Sequence, residues 1–182
     1  MKRLPKAQRD KLPMWFVIWT STAREDRCLK LLNERFSDLF DRAFVPKRTI
    51  SHKYGQEWRM IRSALFPGYL MVDTDSERIK ELSTRLKIFN DFNVVLSTDG
   101  DFLPLTEAES EFAERIYAKD GIFDTSVGII EGDRITVTGG PLMGMEGSIT
   151  KIDRHKRIAI LELDMFGKKT RTSVGLEIVE KR

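Results

Sequence analysis

Between Met14 and Thr20 the chain is apolar at both parities, which predicts a strand covered on both faces. Thr22-Ala23-Arg24-Glu25 has the spacing of a capping box and predicts a helix turning Cys28, Leu31, Leu32 and Phe36 inward. From Ala43 to Arg62 alternation returns. Phe44-Val45-Pro46 leads into a basic stretch that turns back at Tyr54-Gly55-Gln56 through Trp58 to Ile61. Leu65 to Val72 reads as a strand entered through the Pro67-Gly68 turn. Asp75 or Ser76 caps a second helix with Ile79, Leu82 and Leu86 inward, Asn93 to Leu96 is a strand, and Asp99-Gly100 is a tight turn. Thr106-Glu107-Ala108-Glu109 is a second capping box, opening a helix with Phe112, Ala113 and Ile116 on one side. This order is that of an α+β fold, an α/β sandwich whose helices pack on a largely antiparallel sheet.

From Lys119 to Gly128 periodicity fades, and a linker is placed at residues 119–126. It divides the chain into a basic amino-terminal segment (1–13), a first domain (14–118) and a second domain (127–182), with few apolar residues expected between the two domains. The second domain reads as short strands over Asp133–Thr138, Glu146–Asp153, Arg157–Met165, Lys169–Val174 and Leu176–Val179. Five strands in so short a stretch predict a closed, SH3-like barrel, because a small sheet with open edges invites aggregation. Ile149 and Ile152 break alternation, which predicts a bulge near Thr150 or Lys151. Ala159, Leu161, Leu163 and Met165 share the inward parity. Phe166 then points outward by the two-residue period, unless the turn at Gly167 folds it back over the barrel end.

The net charge of +3 conceals an asymmetry. Residues 1–72 carry 15 Lys and Arg against 7 Asp and Glu, residues 73–126 carry 6 against 13, and residues 127–182 carry 10 against 8. A basic front beside an acidic middle suggests two different partners, one of them polyanionic. A single cysteine, Cys28, fits a reducing cytoplasm and lies on a buried helical stripe, where core packing is expected rather than chemistry. No apolar run is long enough for a membrane span, and the start lacks the apolar core of a signal peptide.

No catalytic constellation is legible. His52 and His155 both sit among Lys and Arg, which disfavours an imidazolium and repels a metal. There is no Cys/His cluster, phosphate-cradling loop or nucleophile elbow, so no metal, cofactor or enzymatic activity is expected. Glu107, Glu109, Glu111 and Glu114 on the third helix read as an exposed acidic face.

Motifs in both halves resemble the NusG family of transcription elongation and antitermination factors. Trp15-Phe16-Val17-Ile18, Phe44-Val45-Pro46 and Leu65-Phe66-Pro67-Gly68-Tyr69 are similar to its amino-terminal (NGN) domain. Gly132-Asp133-Arg134-Ile135-Thr136-Val137, Pro141-Leu142-Met143-Gly144-Met145-Glu146-Gly147 and Lys151-Ile152-Asp153 look like its KOW motif, with Gly144 and Gly147 bracketing a sharp loop. The basic hairpin, the Arg154-His155-Lys156-Arg157 turn and the ending Val174 to Lys181 resemble the LoaP-type paralogues that act on selected long operons. The helical second domain of free RfaH, another paralogue, is not expected, since Arg157–Met165 is β-branched and alternating.

The resemblance implies a cytoplasmic, monomeric, non-catalytic factor. Its first domain would bind the clamp helices of the RNA polymerase β′ subunit through Trp19, Phe66, Pro67 and Tyr69. Phosphates of DNA or of an RNA hairpin would meet Lys47, Arg48, Lys53, Arg59 and Arg62 on the hairpin and Arg154, Lys156 and Arg157 on the barrel. Phe166-Gly167 matches the family's Phe-Gly, where the second domain meets Rho or a ribosomal protein. The competing reading is a ribosome- or mRNA-associated KOW protein without polymerase contact, which gives Trp19 and Phe66 no reason to be exposed.

Overall fold

A computed structural model describes residues 13–89, 92–95, 97–98, 101–132 and 134–181. The basic segment before Pro13, Leu96, the Asp99-Gly100 turn and Asp133 lie outside the described residues. The first half runs β1 (Trp15–Thr20), α1 (Glu25–Arg35), β2 (Arg42–Phe44), β3 (Lys47–Tyr54), β4 (Glu57–Ala64), β5 (Tyr69–Asp73), α2 (Ser76–Leu86), β6 (Phe92–Val95), β7 (Ser97–Thr98), β8 (Asp101–Phe102), α3 (Glu107–Tyr117) and β9 (Ile122–Phe123). One sheet has the order β2-β5-β1-β6, and its pairs are antiparallel.

The apolar run of β1 explains the layering. Phe16 and Ile18 face α1 and α2, in a core with Cys28, Leu32, Ile79 and Leu82. Trp15 and Val17 face the other way, into a core with Phe112, Ala113 and Ile116 of α3. Of its six residues only Trp19 is exposed. Asp75 caps α2 by accepting the N–H groups of Glu77 and Arg78, and Thr106 and Glu109 form the expected capping box on α3. The box expected at Thr22 does not form. α1 opens at Glu25 with no side-chain cap, and the Glu25 carboxylate instead accepts the buried Gly68 N–H at 2.6 Å. A buried backbone donor must be paired, whereas a surface helix end can be satisfied by water.

The second half is a five-stranded sheet in the order β11-β10-β14-β13-β12, built from β10 (Ser126–Glu131), β11 (Arg134–Gly139), β12 (Ile149–Asp153), β13 (Ile158–Met165) and β14 (Lys168–Lys181). Its strands are divided differently from expectation. Ser126–Glu131 is a strand that the weak alternation of the sequence hid, and the last two expected strands are one. Gly175 reads as a break but is a close approach: a Cβ there would lie 2.5 Å from Thr125 Oγ1 and 2.7 Å from the Thr49 carbonyl. A 3-10 turn, Glu146–Ser148, precedes β12, so Gly144 (φ +76°) is the left-handed residue of the loop and Gly147 is not. The register slips between Ile149 and Lys151, placing the bulge at Thr150.

Two expectations about the boundary change. Within residues 119–126, Ile122 and Phe123 pair in parallel with Lys47 and Arg48 of β3, so this segment is stitched into the first domain's hairpin. The two halves also share apolar surface: one continuous core runs from Trp15, Phe66 and Phe112 to Leu142, Leu161, Phe166 and Leu176.

The Asp75 carboxyl is held below the usual aspartate range, chiefly by the Arg78 N–H and also by the Arg78 guanidinium and the Glu77 N–H. Asp75→Ala should cost about 1 kcal/mol in denaturant unfolding at neutral pH. A depressed folded-state pKa contributes stability above the unfolded value and loses it as pH falls through the folded one, so the gap between wild type and variant should close in acid.

Candidate functional site

The Phe66-Pro67-Gly68-Tyr69 segment is a tight turn closed by the Tyr69 N–H on the Phe66 carbonyl at 3.2 Å. Gly68 has φ +84°, and a Cβ there would come within 2.9 Å of the Thr20 carbonyl and 3.1 Å of the Trp19 indole nitrogen. Only glycine allows the turn to lie this close to the end of β1. Trp19 pairs with Tyr69 in register and is 49% exposed, and Pro67 beside it is exposed too.

Phe66 and Tyr69 are covered by the second domain. Phe166 and Gly167 form the two-residue turn between Met165 and Lys168, both left-handed at φ +62° and +70°. The Phe166 ring stands edge-on to Phe66 at 5.1 Å and stacks on Tyr69 at 4.7 Å, leaving it 7% exposed. It leaves the barrel as alternation predicts, yet it meets the first domain rather than solvent. Its strained backbone is anchored from α3, where one Glu109 carboxylate oxygen accepts the Phe166 N–H and the other accepts from Thr106 N–H and hydroxyl at 2.8 Å. Glu109 is buried, and Glu114 binds the Trp15 indole N–H at 2.8 Å and Arg42. The acidic face of α3 is therefore partly structural, a role its helical spacing could not reveal.

The basic hairpin divides into two groups. Arg48 donates to the Ser173 carbonyl and hydroxyl and to Thr172 in the barrel, and burial holds its pKa below the usual arginine value. Lys47 pairs with Asp26 at 2.7 Å. Lys53, Arg59 and Arg62 are exposed, with Arg59 paired to Glu57 at 3.0 Å and lying over Tyr54. On the barrel Arg154 and Lys156 are exposed, while the Arg157 guanidinium lies 4.4 Å from the Trp58 ring centre and 3.2 Å from Glu177. Trp58 was not among the residues the sequence singled out, and its alternation with Met60 gave no sign of a partner in the other domain.

Between the domains lies a cleft of about 820 Å³, with Phe112, Ile116 and Phe123 among its walls and Arg62, Arg115 and Lys119 on its edge. No group of three metal-ligating side chains occurs among the described residues, and no described helix is long and apolar enough to cross a membrane.

An α/β sandwich with an exposed tryptophan and a basic hairpin is thus docked through an aromatic turn onto a small five-stranded β domain. A family model described as "Transcription termination factor nusG" matches residues 13–113, and one for the KOW motif matches residues 131–164. The chain belongs to the NusG family. It is 28% identical over 173 residues to the transcription termination/antitermination protein NusG of Streptococcus pyogenes, covering 89% of this chain and 92% of that one. It is 25% identical to the NusG of Rickettsia bellii (92% and 89% covered) and 23% identical to that of Borreliella burgdorferi (92% and 97%). A solved structure described as "Domain interaction in Thermotoga maritima NusG" shares the fold, with a TM-score of 0.53 and 16% identity over 90% of this chain and 93% of that one.

Glu109→Ala strands the Phe166 N–H inside the seam, and a buried donor without an acceptor costs about 1–3 kcal/mol. The expected result is a lower unfolding midpoint and faster hydrogen exchange at the Phe166 amide, while the remaining β13–β14 amides keep their protection.

Proposed function

We propose that this protein is a cytoplasmic, monomeric elongation factor that binds the clamp helices of the RNA polymerase β′ subunit, suppresses pausing and promotes processive antitermination. Trp19, Phe66, Pro67 and Tyr69 are its polymerase-facing residues, and Phe166-Gly167 captures a second protein, Rho or a ribosomal protein. Lys53, Arg59 and Arg62 meet nucleic acid near the transcription bubble, while Lys47 and Arg48 serve mainly to hold the fold. The observation that carries the reading is the turn at Gly68. It sets Trp19 and Pro67 in solvent beside Phe66 and Tyr69, as a protein-binding face requires, and aromatic side chains dominate such faces.

The same observation sets a condition. With the domains docked, Phe66, Tyr69 and Phe166 occupy one another, so polymerase and the second partner both gain access only after the domains part. A ligand that binds only the open arrangement has its apparent affinity reduced by the fraction open.

The test is capture of purified core polymerase by the tagged full chain. Trp19→Ala should weaken capture by about tenfold or more, the effect of an aromatic anchor at an interface centre. Phe166→Asp, which places a carboxylate against Phe66 and Tyr69, should strengthen capture. Equal capture by wild type and Trp19→Ala would refute the polymerase-binding assignment, and capture of ribosomal RNA without polymerase would favour a ribosome-associated factor.

A further inference from the structure

The two basic elements that the sequence places some hundred residues apart meet along one strand face. In the β3–β4 register Lys53 faces Trp58, Ser51 faces Met60 and Thr49 faces Arg62, so these six residues share one side of the hairpin. At the hairpin-tip end the second domain supplies Arg157, whose guanidinium stacks on Trp58, and with it the exposed Arg154, His155 and Lys156 of the same turn. Four residues along β4, about 13 Å at strand rise, Arg62 stands at the interdomain cleft beside Arg115 and Lys119, with Gly140 and Pro141 of the second domain closing that end. Lys53, Met60, Arg62, Arg154 and Lys119 are all exposed. Along the way the face offers an indole, a thioether and a planar guanidinium, with cations at both ends.

We propose that this face of β4, completed by the docked barrel, is a binding track for single-stranded nucleic acid. The track goes beyond the nucleic-acid clause of the proposed function: it belongs to the free, docked protein, whereas contacts near the transcription bubble are made after the domains part. Cations spaced along an apolar, aromatic floor match a strand whose phosphates need neutralising and whose unstacked bases need a π-surface. A duplex offers phosphates but keeps its bases stacked, so it leaves Trp58 and Met60 without a role. An acidic protein segment would satisfy the cations but not the stacked Trp58–Arg157 pair.

Neither domain carries the track alone. Trp58, Lys53 and Arg62 come from the first, Arg154, Lys156 and Arg157 from the second, and only docking brings the guanidinium over the indole. Nucleic acid on this track therefore selects the docked arrangement, whereas polymerase, on the proposed function, selects the parted one. A single variant should move the two affinities in opposite directions.

The experiment measures fluorescence anisotropy of a labelled 12-residue oligo(U) with the full chain across a salt series. Trp58→Ala should weaken binding about tenfold with little change in salt slope, as loss of one stacked base does. Arg157→Lys should weaken binding too while keeping the slope, because the charge remains and the planar stack is lost. Phe166→Asp should weaken binding and flatten the slope by roughly two units, the loss of three phosphate contacts on a single strand. Lys30→Ala, an exposed cation on α1, should change nothing. Circular dichroism melting confirms that each variant is folded, and Glu109→Ala repeats the undocking measurement without touching the hairpin. Oligo(dU) in parallel identifies which strand chemistry is preferred, and tight binding of either supports the track. Unchanged affinity and slope in both undocked variants would overturn the composite site. So would duplex RNA binding as tightly as oligo(U), or an oligo-glutamate of matched charge competing equally. Polymerase capture by the same variants is read separately, so loss of the track and loss of the polymerase reading are distinguishable.

Discussion

The arrangement of the molecule depends on one carboxylate. Glu109 sits in the first turn of α3, where a negative side chain is favoured by the helix dipole and is already needed to close the capping box with Thr106. One of its oxygens completes that box, and the other accepts the N–H of Phe166, the residue whose left-handed backbone forms the barrel's β13–β14 turn. The interaction that starts the helix therefore also holds the second domain in place. Phe166 can occupy a conformation unfavourable for a side chain because its amide is satisfied there and its ring is buried between Phe66 and Tyr69. Remove the carboxylate and strain, an orphaned donor and an exposed aromatic all appear at the same turn.

Around this point the seam is mixed in character. Aromatic contacts contribute area together with roughly 0.5–1.5 kcal/mol per pair from ring geometry. Polar contacts fix the register: Arg48 reaches Ser173, the Thr172 hydroxyl donates to the Leu65 carbonyl at 2.7 Å, and the Thr125 hydroxyl donates to the Thr49 carbonyl at 3.2 Å. Each of these groups is satisfied by the docked domain, and each can exchange its partner for water when the domains part. A seam of that kind docks in one geometry, because polar partners on both sides fix the register of its apolar contacts.

Much of the fold was legible because its signals are local. The double-sided apolar run of β1, the Asp75 cap, the Thr106 box, the Pro67-Gly68 turn and the bulge at Thr150 follow from propensity and period. What stayed hidden depends on long-range partners. Glu25 abandons a helix cap because Gly68, 43 residues away, needs an acceptor. Gly175 looks like a strand break until the Thr49 and Thr125 backbone and side chain are brought against it. Ile122-Phe123 looks like linker until β3 lies alongside. The candidate site was readable as a set of residue types, since exposed-looking aromatics and clustered cations stand out in any sequence. Which cations are free, and that Phe66, Tyr69 and Phe166 cover one another, are properties of docking and have no local signature.

The linker geometry determines how far the domains can part without unfolding anything. Lys47 donates its N–H to the Gly121 carbonyl at 2.8 Å and Phe123 is buried against α3, so the chain stays fixed to the first domain through β9. The barrel begins at Ser126. That leaves Asp124 and Thr125 as the pivot, and Thr125 is itself tied to Thr49 while docked. A pivot this short allows rotation but little translation, so the barrel remains beside the surface it leaves. Its effective concentration there stays high, and redocking is then an intramolecular event that any partner of Phe66 and Tyr69 must continuously outcompete. On the proposed function, such a partner cannot rely on charge attraction alone and must offer apolar area comparable to what Phe166 withdraws.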